Sequence, residues 1–325
     1  MVISVSNLSK HYSVYKKEPG LIGSLKSLVN RKYETVKAVE DISFEIEEGE
    51  FVGFIGPNGA GKTTTLKCLS GLLYPTSGKV KVLGYFPFDR KTSFLKQISL
   101  VLGQKNQLWW DLPAMETFLL NKEIYEIEEK QFNETLEDLV TLLDAKQFLN
   151  IPVRKLSLGQ RMKMELIAAL IHRPKVLFLD EPTIGLDVVM QKKIREFLKN
   201  YNSKYKSTII LTSHYMDDVE ELCKRVIIIN YGRLLYDGGF EDLIKKHSPL
   251  KQITVVLDKE VDEKKINEFG NLYKYNYPEW VLRVRREDTN KVASEILKIF
   301  SVEDINIEDQ EIDSVIRDLF IKAGK

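Results

Sequence analysis

Gly56-Pro57-Asn58-Gly59-Ala60-Gly61-Lys62-Thr63, continued by Thr64, follows the spacing G-x-x-x-x-G-K-[ST]. That spacing handles phosphate. Glycines let successive backbone N–H groups curl around phosphate oxygens with no Cβ in the way. A helix starting directly after the loop turns its positive end toward the anion. Lys62 supplies a full charge for β- and γ-phosphates, and the Thr63 hydroxyl can ligate Mg²⁺. A second element, Val176-Leu177-Phe178-Leu179-Asp180-Glu181, complements it. Four apolar residues read as a buried strand that delivers Asp180 to its carboxyl end. An acid there can hold Mg²⁺, directly or through water. Glu181, where the chain leaves the strand, is placed to polarise a water for in-line attack on a γ-phosphate. Alone, an Asp-Glu pair at a strand end is commonly a solvated turn; a phosphate loop in the same chain changes that reading.

These residues need elements to hold them. Phe51–Ile55 precedes the loop as a strand, and TTLKCLSGLL follows it as a helix. Val2–Val5 and Ile42–Ile46 read as further strands. Val176–Leu179, Ile209–Thr212 and Val226–Ile229 are short continuous apolar runs. Such runs suit strands buried on both faces, as in a parallel sheet covered by helices. The span 115–148 is helical in pattern and rich in Leu, Glu and Lys, within a helical subdomain expected over 105–165. The fold class is therefore α/β over 1–245. A small α+β appendix is expected over 250–325. In it, ITVVL, Trp280–Val284 and Ile305–Ile307 read as strands, and 261–269, 290–300 and 311–322 as helices.

Residues 13–37 stand out between two strands. Leu21, Ile22, Leu25, Leu28 and Val29 fall on one helix face. This amphipathic helix either docks on its own domain or faces a membrane or membrane partner. Residues 10–37 hold seven Lys/Arg against two Glu, so positive charge is local. The whole chain has 48 Lys+Arg and 47 Asp+Glu in 325 residues, a net charge of +1. That balance argues against nucleic-acid binding through bulk charge. No apolar run approaches the ~18 residues of a bilayer span. The opening MVISVSNLSKHY lacks a basic-then-apolar layout, which predicts a cytoplasmic location. Cys68 and Cys223 have no metal-like spacing and read as reduced and structural.

Further segments decide which phosphate-loop family this is. Leu156-Ser157-Leu158-Gly159-Gln160 opens a helix ahead of Asp180-Glu181; Gly185-Leu186-Asp187 follows that pair; Leu211-Thr212-Ser213-His214 ends the next strand. Gln104 ends a strand in LVLGQ, with Gln107 nearby. Over residues 1–240 this set resembles the ATP-binding-cassette (ABC) ATPases. The resemblance implies a P-loop ABC core with an inserted helical subdomain, and it assigns roles. Gly56, Pro57, Asn58, Gly59, Ala60, Gly61, Lys62, Thr63 and Thr64 resemble the Walker A loop. Val176–Asp180 resembles the Walker B strand, with Glu181 as catalytic carboxylate. Gln104 corresponds to the Q-loop glutamine, near Mg²⁺ and the attacking water. Ser157, Gly159 and Gln160 correspond to the signature motif, Asp187 to the D-loop and His214 to the switch histidine. Thr63, Gln104 and Asp180 form the implied Mg²⁺ set. The adenine-stacking aromatic is Tyr12 in KHY or Tyr33 in RKY. One departure is Leu158, where the family usually has glycine.

The resemblance implies ATP hydrolysis with Mg²⁺ by a head-to-tail homodimer, because the signature of one copy completes the site of the other. It also implies a separate membrane permease of ABC-2 type, with the chain peripheral on the cytoplasmic face of the membrane, powering export. No nucleic-acid partner is expected. Trp109 and Trp110 read either as one buried ring and one lining a partner groove, or as two core residues. The rival is a soluble cassette ATPase acting on ribosomes or DNA. Translation factors of that kind carry two cassettes, and DNA-repair relatives carry long coiled coils between the Walker motifs, for which the 117 residues between Lys62 and Asp180 are too few.

Overall fold

The computed structural model describes residues 1–15, 33–103, 105–247, 250–309 and 312–323. It forms two compact units, Met1–Gly239 and Phe240–Lys325. The sequence reading starts the second unit near 250; here it begins ten residues earlier with a helix.

In the first unit, β1 (Ile3–Tyr15), β2 (Tyr33–Ile46) and β4 (Ser77–Val82) form an antiparallel sheet of order β2-β1-β4. β1 and β2 run well beyond the expected Val2–Val5 and Ile42–Ile46. Their outer part pairs His11 with Lys37 and Tyr15 with Tyr33 through backbone hydrogen bonds. It is largely exposed and has no apolar alternation to read. The two ends of the expected 13–37 insertion are thus strand. Its amphipathic face, Leu21 to Val29, lies outside the described residues.

The second sheet is β5 (Ile98–Leu102), β6 (Val176–Asp180), β7 (Thr208–Thr212), β3 (Phe51–Ile55), β8 (Arg225–Asn230) and β9 (Arg233–Gly239), neighbours in that order. All pairs are parallel except β8–β9. Val176, Leu177, Phe178 and Leu179 are all buried, as an apolar run covered on both faces requires. The helices are α1 (Lys62–Leu69), α2 (Thr92–Leu95), α3 (Ala114–Ile124), α4 (Glu129–Leu142), α5 (Leu158–Leu170), α6 (Val188–Tyr205) and α7 (Met216–Leu222).

The helical span 115–148 divides into α3 and α4. Glu126 adopts φ 53°. Its N–H bonds the Glu123 carbonyl, and the Ile127 N–H bonds Lys122. This closes α3 in a Schellman motif. Asp144 (φ 46°) closes α4 in the same way, with bonds to Thr141 and from Ala145 to Val140. Glycine usually marks this left-handed position, so Glu126 and Asp144 hid both helix ends. α5 starts where its residues say it should. The Ser157 hydroxyl accepts the Gln160 N–H and the Gln160 side chain accepts the Ser157 N–H, a capping box.

The second unit contains α8 (Phe240–His247) and a four-stranded antiparallel sheet. Its order is β11 (Asn271–Asn276), β12 (Glu279–Arg285), β10 (Leu250–Leu257) and β13 (Val302–Asp309). α9 (Glu263–Ile266), α10 (Thr289–Ile299) and α11 (Ile312–Ala323) complete it. Trp280 is fully buried in a core with Ile253, Val255, Leu282 and Ile296. The helix expected over 261–269 is a single turn.

A buried charged network holds the segments that leave β6 and β7. Asp218 accepts bonds from the Thr183 hydroxyl at 2.5 Å, the Ser213 hydroxyl at 2.6 Å and Arg195 at 3.0 Å. Arg195 also reaches Glu221 at 2.9 Å. Arg195 and Asp218 are both buried. Removing one partner leaves an uncompensated buried charge. Arg195→Met is therefore expected to cost about 3–5 kcal/mol of stability, read as a lower denaturant midpoint at unchanged slope.

Candidate functional site

Parallel strands place their carboxyl ends together, and the loops leaving β3, β6 and β7 meet there. Gly61 has φ 105°, and a Cβ on it would lie 2.3 Å from the Ala38 carbonyl oxygen. Only glycine lets the chain turn there into α1. Within the loop, the Ala60 N–H bonds the Pro57 carbonyl at 3.1 Å, while Asn58 and Gly59 stay exposed at the tip. Lys62 is buried, and its amine donates to the Gly56 carbonyl at 2.6 Å and the Pro57 carbonyl at 3.2 Å. Burial holds its pKa below the ordinary lysine range, while Glu181 and Asp180 pull the other way. Thr64 follows, half-buried on the same helix.

Asp180 is the meeting point of three elements. Its Oδ2 accepts the Thr63 hydroxyl at 2.7 Å, and its Oδ1 accepts the Thr212 hydroxyl at 2.7 Å. The Thr212 oxygen also receives the Glu181 N–H at 3.1 Å, and the Thr212 carbonyl receives the same N–H at 3.0 Å. These bonds hold Glu181 at φ 55°, a left-handed conformation that costs a residue with a Cβ free energy. Its carboxylate Oε1 meets His214 Nε2 at 2.7 Å. Thr63, Asp180, Glu181 and His214 are thus joined in one connected set.

A cleft of about 140 Å³ opens beside this set, lined by Thr63, Gly103, Lys105, Asp180 and Glu181. Gln104 itself lies outside the described residues. Gly103 packs so tightly on the Asp180–Glu181 turn that a Cβ there would lie 2.0 Å from the Glu181 carbonyl oxygen. Neither Gly103 nor Thr212 drew a role from the sequence, although LVLGQ and LTSH contain them. A glycine at a strand end and a threonine before a histidine have no spacing signature of their own.

Ser157, Gly159, Gln160 and Asp187 gather at another place. Ser157 caps α5, and Asp187 caps α6 by accepting the Met190 N–H at 2.8 Å. The two helix starts interlock. A Cβ on Gly185 would lie 3.1 Å from the Leu158 side chain, and one on Gly159 would lie 3.0 Å from that of Met190. Leu158 thus packs onto the glycine ahead of Asp187. Tyr12 lies on β1 opposite Val36, two residues along β2 from Ala38; Tyr33 pairs with Tyr15, farther out.

The family model "ABC transporter" matches residues 39–184, and the model "EvrA-like ABC transporter, C-terminal domain" matches 249–308. The ABC transporter ATP-binding protein NatA of Bacillus subtilis is 35% identical over 212 residues, 65% of this chain and 86% of NatA. This chain belongs to the ABC transporter ATP-binding family. The bacitracin transport ATP-binding protein BcrA of Bacillus licheniformis is 33% identical over 219 residues, 67% of this chain and 70% of BcrA. Among solved structures, the dimeric post-hydrolysis state of the ATP-binding cassette MJ0796 with ADP and Pi matches with TM-score 0.60 at 24% identity, a likeness of fold. That match covers 73% of this chain and 98% of that one. The chain is an ATP-binding, ATP-hydrolysing transporter subunit.

Thr212 offers the sharpest test of this site. Thr212→Ala removes one bond to Asp180 and one to Glu181, whereas Thr212→Ser keeps both. At about 1–3 kcal/mol for the lost positioning, Thr212→Ala is expected to lower kcat roughly 5–150-fold. Steady-state ATPase assays should show Thr212→Ser close to wild type.

Proposed function

We propose that the chain powers an exporter as a homodimer docked on a separate ABC-2-type permease, peripheral on the cytoplasmic face of a membrane. The observation that carries the hydrolytic part is the continuous set Thr63–Asp180–Thr212–Glu181–His214 beside Lys62. In this reading the Gly56–Thr64 loop binds the ATP phosphates and Lys62 neutralises the γ-phosphate. Glu181 orients a water in line with the γ-phosphorus and takes its proton as the bond to the β-phosphate oxygen breaks. His214 fixes the Glu181 carboxylate. Thr63 and Asp180 present converging hard oxygen donors, which suits Mg²⁺, with Gln104 as the third residue of that set. Bound there, Mg²⁺ would supply positive charge to the phosphate oxygens. Tyr12 is favoured over Tyr33 for adenine stacking. Tyr33 stands five residues from Ala38, or about 17 Å along the strand.

Two surfaces support the partners. Leu158, Val188 and Val189 are exposed apolar side chains beside Ser157 and Asp187, where a second copy would cover them. BcrA and NatA are by name transporter ATP-binding proteins, and MJ0796 is dimeric in its structure. Trp109 and Trp110 are 52% and 47% exposed, so neither is core; Leu108 takes the inward position instead. Gln107, two residues before Trp109, lines a groove of about 460 Å³ together with Leu72, Arg90, Leu95, Thr117 and Tyr125. An amphipathic helix of a permease fits such a groove. Among the described residues no helix is long and apolar enough to cross a membrane.

Glu181→Gln is expected to retain ATP binding, accumulate a nucleotide-bound dimer on gel filtration and lose about 10²–10⁴-fold in turnover. Wild-type hydrolysis by that variant would remove Glu181 from its role. Affinity capture from detergent-solubilised membranes is expected to recover a multi-spanning protein with the wild type. The Trp109→Ala/Trp110→Ala double variant should lose it. Recovery of ribosomes or DNA in its place would favour the soluble rival.

A further inference from the structure

Glu165 lies in the middle of α5, eight residues after Ser157, and is 4% exposed. A helix turned into a core normally carries Ala or Leu at such a place, because burying a carboxylate costs free energy. This carboxylate has a use. Its Oε1 accepts the N–H of Gln107 at 2.9 Å and of Leu108 at 3.4 Å. Its Oε2 is buried without a hydrogen-bond partner among the described residues. Burial raises its pKa, against the pull of the two amides and Arg161.

Gln107 and Leu108 immediately precede Trp109 and Trp110. The other end of that segment is tied to the residues leading into α5. Arg154 N–H bonds the Trp110 carbonyl at 2.9 Å, and Val153 N–H bonds the Leu112 carbonyl at 3.0 Å. Arg161, also on α5, places its guanidinium 5.5 Å from the Trp110 ring centroid. The tryptophan segment is thus attached to α5 at its start and through the Trp110 ring, and at its end to the residues that lead into α5. Eight residues of helix separate Glu165 from the Ser157 cap, about 12 Å of stiff rod.

We propose that Glu165 is a positioning residue that locks the Trp109–Trp110 segment to α5, so that a displacement of the Ser157 end reaches the paired tryptophans. The proposal deepens the transporter reading, since it names the mechanical link between the nucleotide-facing helix end and the permease-facing surface. Its test needs no permease, so a failure here is separate from a failure of the docking reading.

The experiment uses the purified full chain, Mg²⁺ and a non-hydrolysable ATP analogue. Acrylamide quenching reports Trp109 and Trp110; Trp280, fully buried in the second unit, contributes a constant background. The wild type is expected to change its quenching when the analogue binds. Glu165→Ala should bind the analogue with an affinity within about twofold of wild type but lose that change, because the lever is cut and the site is not. Glu165→Gln keeps the Oε1 acceptor and should restore it. Hydrogen exchange at the Gln107 and Leu108 amides should be about tenfold faster in Glu165→Ala and normal in Glu165→Gln. If Glu165→Ala does not fold, Glu165→Asp, one methylene too short, takes its place. A full quenching response in Glu165→Ala or Glu165→Asp overturns the proposal. So does its loss in Glu165→Gln, or its absence from the wild type.

Discussion

The Asp180 carboxylate holds the first unit's chemistry together. One oxygen takes a hydroxyl from the phosphate-loop helix and the other takes a hydroxyl from the neighbouring strand end. Hydrogen bonds to a charged acceptor are worth about 1.5–3 kcal/mol each, more than most single contacts. They exist only because β6 lies next to β7, and β7 next to β3, all pointing the same way. Lys62 sits within the field of Asp180 and Glu181, and burial sharpens that field. The strained Glu181 backbone is held by the same threonine that holds Asp180. Strain and charge are thus concentrated where a phosphate would be cleaved, and the buried sheet beneath supports both.

A second constraint lies in α5. Its first turn interlocks with the start of α6 through Leu158 over Gly185 and Met190 over Gly159. Leu158, which departs from the family pattern, therefore has a packing role within the chain. Farther along, Glu165 and Arg161 reach the tryptophan segment. One helix of 13 residues touches the Asp187 helix, the capping serine and the exposed aromatic surface. This makes α5 the element through which these regions can share a motion.

The phosphate loop and the Asp180 strand were legible because their signals are local. A glycine spacing, a Lys-Thr pair and a run of four apolar residues need no knowledge of distant chain. The helix start at Leu156–Gln160 was local too. The outer halves of β1 and β2 were not legible, because cross-strand backbone bonds stabilise them without an apolar face. The ends of α3 and α4 were hidden because acids occupy positions where glycine is the usual signal. The exposed state of both tryptophans was also missed, since Leu108 competes for the inward position and only packing decides such a contest.

Sequence alone determined the kind of chemistry: which residues can bind phosphate, which carboxylates can serve hydrolysis, and which family pattern joins them. It did so because those requirements are written in residue type and short spacing. Tertiary structure decided which partners each group has. Thr212 bridges Asp180 and Glu181 across two strands, Gly103 closes on the turn between them, and Glu165 reaches a segment 57 and 58 residues away. Such contacts join residues far apart in the chain, so no local period or motif encodes them. They arise when parallel strands and packed helices bring those residues within hydrogen-bond distance.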